Sequence, residues 1–183
     1  HPAVRENHDI GKLKDIKVMK RGTSGKIMEV EIGKLLLEKK LTIACAESCT
    51  GGLLSSRMTD ISGSSAYIFQ NIVTYANEAK RDILDVPEEI LSSFGAVSEE
   101  CAYHMALGLQ KKTACNFAIC TTGIAGPTGG SKEKPVGLVF VSVFFNEKIF
   151  VKKFLLPKFL PRKLMKFIFT QAAISFAQKT MSL

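Results

Sequence analysis

The sequence predicts an α/β fold: a three-layer α/β/α sandwich in which a mixed, mainly parallel sheet lies between two helical layers. Two observations predict it. Short apolar strand segments alternate with helical segments along most of the chain, and the last two strands are joined only by Asn146 and Glu147. Such a two-residue connection is typical of a hairpin, which would form an antiparallel edge of the sheet.

The individual elements follow from apolar periodicity and from residues that begin or end helices. Ser98, followed by two glutamates, is typical of a helix N-cap, and Pro161 of a first helical turn. Asn77 is predicted to cap another helix. In chain order we expect a helix at 27–40, a strand at 41–46, a helix opened by Gly51, a strand at 71–75, helices at 77–84, 87–94 and 98–112, strands at 117–122, 136–145 and 148–156, and a last helix from about 161.

The predicted organisation is a single domain, 26–183, preceded by a leader. Residues 1–25 are polar, contain three glycines and lack a sustained period, so we expect a flexible leader or a cloning remnant. A chain of 183 residues with 46% hydrophobic content can bury a core without disulfides or metals. No apolar run reaches the ~18 residues needed to span a bilayer, and the N-terminus lacks a signal peptide's apolar segment. We therefore expect a cytoplasmic protein with no membrane partner.

The five cysteines argue against disulfides and against a zinc site, because their number is odd and no CxxC pair occurs. Most lie in apolar patterns, where cysteine acts as a small hydrophobic residue. We therefore expect neither disulfides nor a zinc site.

The formal charge of +8 is concentrated in the last fifth of the chain. No acidic residue follows Glu147, whereas eight basic residues do: Lys148, Lys152, Lys153, Lys158, Arg162, Lys163, Lys166 and Lys179. Interleaved phenylalanines could stack on bases, but their spacing is more typical of a core face opposite a solvated basic face. Nucleic acid is therefore a disfavoured partner, and a local basic patch for a phosphate-bearing small molecule or an anionic partner explains the charge as well.

The first candidate site lies at Thr42–Gly52, where a short apolar strand runs into a polar, glycine-containing turn and then a helix. This arrangement can place the Ser48 hydroxyl beside backbone N–H groups that bind a phosphate or a developing oxyanion. An ordinary N-cap serine would give the same pattern. Cys49 is a rival nucleophile, since a helix N-terminus lowers a thiol pKa.

A second glycine-rich loop, 123–130, also follows a predicted strand, and open α/β sheets bind ligands at the carboxyl ends of their strands. Neither loop matches a named phosphate-binding fingerprint, which disfavours a nucleotide triphosphatase. A tight turn is the alternative interpretation of this loop.

A base for Ser48 has to be sought outside the histidines. His1 and His8 lie in the leader and His104 within a helix, so a Ser-His-Asp triad is disfavoured. Tyr75 and Lys80, at a strand end and a helix start, could face the same crevice as Ser48, and a desolvated lysine can act as a base. From spacing alone, a tyrosine and a lysine near a helix start are more often a packed ring and a solvated amine.

Four strings carry a resemblance to a known family: AESCTGG at 46–52, YANEAK at 75–80, GAVSEE at 95–100 and TGIAGPTGGSKEKPVG at 122–137. Their order and separations are similar to those of the CinA C-terminal domain family, over roughly residues 27–180. The resemblance implies a nicotinamide mononucleotide deamidase, an amidohydrolase that forms nicotinic acid mononucleotide and ammonia in pyridine nucleotide recycling. It also implies a stand-alone form, without the molybdopterin-binding-like module of longer members.

The resemblance places the family's serine, tyrosine and lysine at Ser48, Tyr75 and Lys80. We expect Lys80, directly or through Tyr75, to take the Ser48 proton during attack on the carboxamide. The oxyanion would be held by backbone N–H groups around 49–52. This mechanism requires neither a metal nor an organic cofactor. The residues expected around the substrate are Glu47, Cys49, Thr50, Gly51, Gly52, Asn77, Thr122, Gly123, Gly126, Thr128, Gly129, Gly130 and Arg162.

One departure concerns the run before the last helix, which is Leu160-Pro161-Arg162 where family members typically carry Gly-Asp-Arg. The arginine is retained in an altered loop, which bears on phosphate affinity. Two other functions remain open: a non-catalytic nucleotide-binding or DNA-associated module, and an amidase for a different amide. A homo-oligomer is the default expectation for the assembly.

Overall fold

The computed structural model of the protein describes residues 10–16 and 28–182. In these ranges the helices are α1 (Met28–Lys39), α2 (Leu53–Thr59), α3 (Asn77–Leu84), α4 (Glu88–Ser93), α5 (Glu99–Thr113) and α6 (Arg162–Met181). The strands are β1 (Ile43–Glu47), β2 (Ile68–Val73), β3 (Phe117–Gly123), β4 (Leu138–Phe145) and β5 (Lys148–Leu155). Two short 3-10 helices occur at Leu13–Asp15 and Ser64–Ala66.

The five described strands form one sheet in the order β2-β1-β3-β4-β5. β1 is parallel to both β2 and β3, whereas β4 is antiparallel to β3 and to β5. Four strands therefore run in one direction, and the β4–β5 hairpin forms one edge. This confirms the predicted mixed, mainly parallel sheet with an antiparallel hairpin edge.

Helices cover both faces of the sheet, as predicted. On one face α1, α2 and α6 pack over strand side chains such as Ile43 and Cys45. On the other face α3, α4 and α5 cover the alternate residues, such as Ala44 and Ala46. Because β1 is buried on both faces, its sequence is a continuous apolar run and does not alternate between apolar and polar residues.

Two predicted details are wrong. β2 occupies 68–73 instead of 71–75, because Phe69 and Gln70 are exposed at the sheet edge and break the expected burial pattern. Asn77 does not cap α3: it is the first helical residue, and Ala76 occupies the N-cap without a side-chain hydrogen bond. The Ser98 cap is confirmed, since its hydroxyl accepts the Cys101 N–H at 3.1 Å.

Part of the predicted leader packs on the hairpin. Gly11 forms a parallel bridge with β5, its N–H donating to the Lys153 carbonyl at 2.9 Å. A Cβ at Gly11 would lie 2.4 Å from the Phe154 ring, so the close approach requires glycine. The rest of the predicted leader, 1–9 and 17–25, lies outside the described residues.

The described part of the chain has neither a membrane-spanning helix nor a metal-binding cluster. None of its helices is long and apolar enough to cross a membrane. None of its His, Cys, Asp and Glu side chains form a group of three that could hold a metal ion.

Candidate active site

The carboxyl ends of the parallel strands β1, β2 and β3 meet at one edge of the sheet, where the two predicted loops come together. Ser48 follows β1 directly, Tyr75 lies just beyond β2, and Thr122 lies near the end of β3. A cavity of about 260 Å³ opens there. The predicted site residues that line it are Ser48, Cys49, Tyr75, Lys80, Thr122, Gly123, Gly126, Thr128, Gly129 and Arg162.

The cavity floor holds Ser48 beside Lys80. Lys80 is 1% exposed and its Nζ lies 3.0 Å from the Ser48 hydroxyl oxygen. The amine also donates to the backbone carbonyls of Thr74 at 2.8 Å and Tyr75 at 3.2 Å. Lys80 is therefore a buried, fully oriented amine, not the solvated one that spacing alone left open.

The two carbonyl contacts determine which side of a neutral Lys80 amine faces Ser48. A neutral amine has two N–H donors and one lone pair, whereas an ammonium has three donors. With two donors directed at the carbonyls of Thr74 and Tyr75, the remaining position of the nitrogen faces Ser48 Oγ. In the neutral form this position is the lone pair, which can accept the serine proton.

Burial lowers the pKa of Lys80 from its usual 10.5, because the charged form loses hydration; the nearby thiols of Cys101 and Cys49 act in the opposite direction. Burial in turn raises the pKa of Cys49 to about 12 and that of Cys101 to about 11. Both thiols are thus protonated near pH 7. Because these thiols are uncharged, they offset little of the effect of burial on the Lys80 pKa. A protonated thiol is also a poor nucleophile, so Cys49 is a poor rival to Ser48.

Glu47 lies beneath the nucleophile turn and does not face the cavity. Its fully buried carboxylate accepts hydrogen bonds from five donors: the backbone N–H groups of Gly52, Leu54 and Ser55, and the hydroxyls of Thr50 and Ser55, at 2.5 to 3.1 Å. The anionic group at the N-terminus of α2 is therefore the Glu47 carboxylate, a side chain of the protein itself, and not a ligand. This role could have been recognised from the sequence, where an acidic residue ends an apolar strand just before a helix.

The backbone N–H groups of the turn are more restricted than the sequence indicated. That of Gly51 donates to the Ser48 carbonyl at 3.1 Å, and that of Gly52 to Glu47. The N–H of Ser48 itself donates to the Thr121 carbonyl at 3.0 Å. Of the N–H groups at 49–52 that were predicted to bind the oxyanion, those of Cys49 and Thr50 are not used in these three hydrogen bonds.

The cavity rim is formed by Arg162 and Tyr75. Arg162, at the start of α6, donates from Nη1 to the Gly126 carbonyl at 2.5 Å and from Nη2 to the Tyr75 hydroxyl at 3.0 Å. These bonds use two of the five guanidinium N–H groups. Gly126 has a positive φ of 72°, and a Cβ there would lie 2.5 Å from Val136, so this loop position requires glycine. Although the loop before α6 departs from the family pattern, Arg162 reaches the cavity.

Sequence reasoning missed four lining residues: Ala96, Val97, Ile124 and Ala125. They are small or apolar, and no chemical signal marks them. Thr122 fixes one of them in place, since its hydroxyl donates to the Ala96 carbonyl at 2.6 Å. Six predicted substrate contacts are not among the lining residues: Glu47, Thr50, Gly51, Gly52, Asn77 and Gly130.

A larger cavity, about 340 Å³, lies elsewhere, between β5 and the C-terminal half of α6. Lys152, Phe176 and Lys179 are among its lining residues, and none of the predicted site residues is. We place the candidate site in the smaller cavity because a nucleophile, a buried amine and an arginine meet there.

Comparisons with known proteins identify the family of this chain. The model of the CinA C-terminal domain family matches residues 26–181. This chain belongs to the CinA C-terminal domain family. A CinA-like protein from Chloroherpeton thalassium is 54% identical over 127 residues, which is 69% of this chain and 30% of that protein. The chain spans about a third of the length of the curated relatives it matches.

Two solved structures share the fold. The crystal structure of competence/damage inducible protein CihA from Agrobacterium tumefaciens has a TM-score of 0.77 and 38% identity, covering 85% of this chain and 92% of that one. The crystal structure of a competence-damaged protein (CinA) superfamily protein from Escherichia coli has a TM-score of 0.80 and 25% identity, covering 93% and 97%.

Proposed function

We propose that the protein hydrolyses the carboxamide of nicotinamide mononucleotide, giving nicotinic acid mononucleotide and ammonia. The observation that carries this proposal is the direct contact between Lys80 Nζ and Ser48 Oγ, with the other donors of the amine held by two backbone carbonyls. A buried amine poised on a serine hydroxyl is suited to acyl transfer. The substrate class is the one that the resemblance to the CinA C-terminal domain family implies.

In the first half-reaction, neutral Lys80 takes the Ser48 proton while Oγ attacks the carboxamide carbon. The N–H group of Cys49, which lines the cavity, stabilises the oxyanion of the tetrahedral intermediate. The Lys80 ammonium then gives its proton to the amide nitrogen, the C–N bond breaks, and ammonia leaves an acyl-serine. No relay through Tyr75 is needed, since amine and hydroxyl are in contact.

The second half-reaction uses the same two groups in the opposite sense. Lys80, neutral again, takes a proton from a water molecule that attacks the acyl carbon. As the tetrahedral intermediate collapses, the ester C–O bond breaks and Ser48 Oγ recovers its proton from Lys80. The product is a carboxylic acid, which ionises at neutral pH.

The rim would bind the substrate phosphate. Arg162 keeps N–H groups beyond those used by Gly126 and Tyr75, and a guanidinium matches phosphate geometry. Lys166, one helical turn further along α6, places its ammonium beside Gly51, where an added Cβ would lie 3.2 Å from Nζ. Of the basic residues in the last fifth of the chain, we assign Arg162 and Lys166 to the small anionic ligand; Lys152 and Lys179 line the other cavity.

The test is ammonia release from nicotinamide mononucleotide by the wild type, Ser48→Ala and Cys49→Ala. We expect turnover by the wild type, loss of it in Ser48→Ala, and retained turnover in Cys49→Ala, because the Cys49 thiol is protonated and not the nucleophile. Turnover that survives in Ser48→Ala would overturn the serine mechanism. Ammonia release from other amides in a panel, without release from nicotinamide mononucleotide, would overturn the substrate assignment.

A further inference from the structure

The segment 94–97, which we name the wall, connects α4 to α5 and forms one side of the cavity. Its residues Ala96 and Val97 are among the lining residues. The chain reverses at Gly95, which has a φ of 76° and whose N–H donates back to the Leu91 carbonyl at 3.1 Å. The carbonyls of the wall belong to neither a helix nor a strand, so their hydrogen-bond partners have to come from side chains or water.

Three consecutive carbonyls of the wall each accept a hydrogen bond from a side chain that belongs to a different part of the fold. The Lys134 ammonium, beyond the glycine-rich loop 123–130, donates to the Phe94 carbonyl. The Ser98 hydroxyl, at the N-terminus of α5, donates to the Gly95 carbonyl at 2.8 Å. The Thr122 hydroxyl on β3 donates to the next carbonyl along the chain at 2.6 Å. The wall is therefore held from three sides.

Lys134 is itself well oriented for this contact. The Ser131 N–H donates to the Lys134 carbonyl at 2.8 Å, and the Lys134 N–H donates to the Ser131 hydroxyl at 3.0 Å, which closes a tight turn. The Lys134 side chain is half-buried, and a Cβ added at Gly95 would lie 2.9 Å from its Nζ. A hydrogen bond from a charged donor is also stronger than one between neutral groups. Lys134 thus fastens the wall to the segment that follows the glycine-rich loop.

The Lys134 side chain is not among the groups that line the cavity, so its effect on a bound substrate would act through the wall. We propose that Lys134 is a positioning residue for the proposed amide hydrolysis: it holds the wall so that Ala96 and Val97 keep the substrate carboxamide within reach of Ser48 Oγ. This inference rests on the proposed function. A displacement of about 1 Å in a bound substrate can lower the rate by about 10²-fold, so a loosened wall should slow the reaction.

Steady-state kinetics of the full chain test this role with Lys134→Met, and Lys132→Met is the matched control. Lys132 is exposed on the same turn, so both variants lose one positive charge at nearly the same place. Two substrates separate the wall from the floor. Nicotinamide mononucleotide has a carboxamide that must be positioned, whereas p-nitrophenyl acetate is a small activated ester that needs only Ser48 and Lys80.

In Lys134→Met we expect kcat for nicotinamide mononucleotide to fall by on the order of 10- to 100-fold, with a smaller change in KM and unchanged ester hydrolysis. Lys132→Met should resemble the wild type on both substrates. Unchanged amide turnover in Lys134→Met would overturn the proposal. Equal losses on both substrates would overturn it as well, because they indicate damage to the floor, and so would an equal loss in Lys132→Met, because it indicates a general effect of charge.

Backbone ¹⁵N relaxation gives a second test, which does not depend on the substrate. We expect order parameters of about 0.85 for the amides of Ala96 and Val97 in the wild type and in Lys132→Met, and below about 0.6 in Lys134→Met. Amides that stay rigid in Lys134→Met would overturn the proposal. A wild type that is inactive on nicotinamide mononucleotide, together with a mobile wall in Lys134→Met, would overturn the substrate assignment and not the role of Lys134 in holding the wall.

Discussion

The floor and the rim of the cavity are built in different ways. Ser48 and Lys80 on the floor are 8% and 1% exposed, and Lys80 is held by backbone carbonyls. On the rim, Tyr75 is 59% exposed and Arg162 is also exposed. The difference follows from the separate roles of floor and rim. A base on the floor needs the desolvation that lowers an amine pKa, whereas a side chain on the rim that binds a phosphate must stay positively charged. Floor variants should therefore alter kcat and rim variants KM.

The largest expected effect is that of Lys80→Met, which keeps an unbranched side chain of similar volume but removes the base. We expect kcat for the amide to fall by about 10³-fold, in the range of lost general base catalysis, with a smaller change in KM. Steady-state ammonia release measures both. Thermal unfolding must accompany the assay, since the carbonyls of Thr74 and Tyr75 lose their donor.

Small primary amines provide the control for this prediction. In Lys80→Ala, added ethylamine should restore part of the activity, because the truncated side chain leaves space beside Ser48. A Lys80→Met variant that turns over within about tenfold of the wild-type rate would remove the lysine from the chemistry. The contrast between floor and rim would then lose its basis.

The pH dependence of the wild type sharpens the comparison next. The neutral amine is the active form, so kcat/KM should rise about tenfold per pH unit up to the Lys80 pKa and then level off. Because burial lowers that pKa, the inflection should lie below 10.5. The residual activity of Lys80→Ala should not show this rise of kcat/KM with pH. A wild-type profile that stays flat up to about pH 10 would argue against a titrating lysine.

The titration of Lys80 also affects the free energy of unfolding, and the direction of the effect follows from the difference in its pKa between the folded and unfolded chains. Between the lowered pKa of folded Lys80 and its usual value of 10.5, the unfolded chain binds more protons than the folded chain. The free energy of unfolding therefore gains a contribution from Lys80 as pH rises through this window. Urea unfolding at several pH values should show this slope in the wild type and a smaller one in Lys80→Met.

The sequence predicted the fold well because strong local signals repeat along the chain. Its failures lie where tertiary contacts decide. The edge position of β2 exposes Phe69, which no local pattern indicates. A motif and a resemblance marked Ser48, Lys80 and Arg162, which line one cavity in the structure, but the burial of Lys80 depends on the packing of several elements. Glu47 is a different failure: it was predicted to contact the substrate, although its five donors all belong to the turn and helix that directly follow it in sequence.

A smaller effect is expected on the rim, from Arg162→Gln. Loss of the guanidinium should raise KM by about tenfold while kcat changes by less than about threefold, because an exposed cation contributes modestly to binding and does not touch the reacting bond. Lys163→Gln, the neighbouring exposed residue, is the matched control and should leave KM unchanged. Equal losses in the two variants would indicate a general effect of charge instead of a specific phosphate contact.

The smallest effect is expected for Tyr75→Phe. This change removes only the hydroxyl that accepts the Arg162 hydrogen bond, and it leaves the backbone carbonyl that holds Lys80. One exposed hydrogen bond is worth roughly 0.5 to 1 kcal/mol, so KM should rise about two- to fivefold with kcat nearly unchanged. If turnover instead slows by about two orders of magnitude, as expected for a lost proton-transfer group, the hydroxyl relays the Ser48 proton. The tyrosine would then belong functionally to the floor despite its exposed position, and the direct Lys80–Ser48 contact would not be the route of proton transfer.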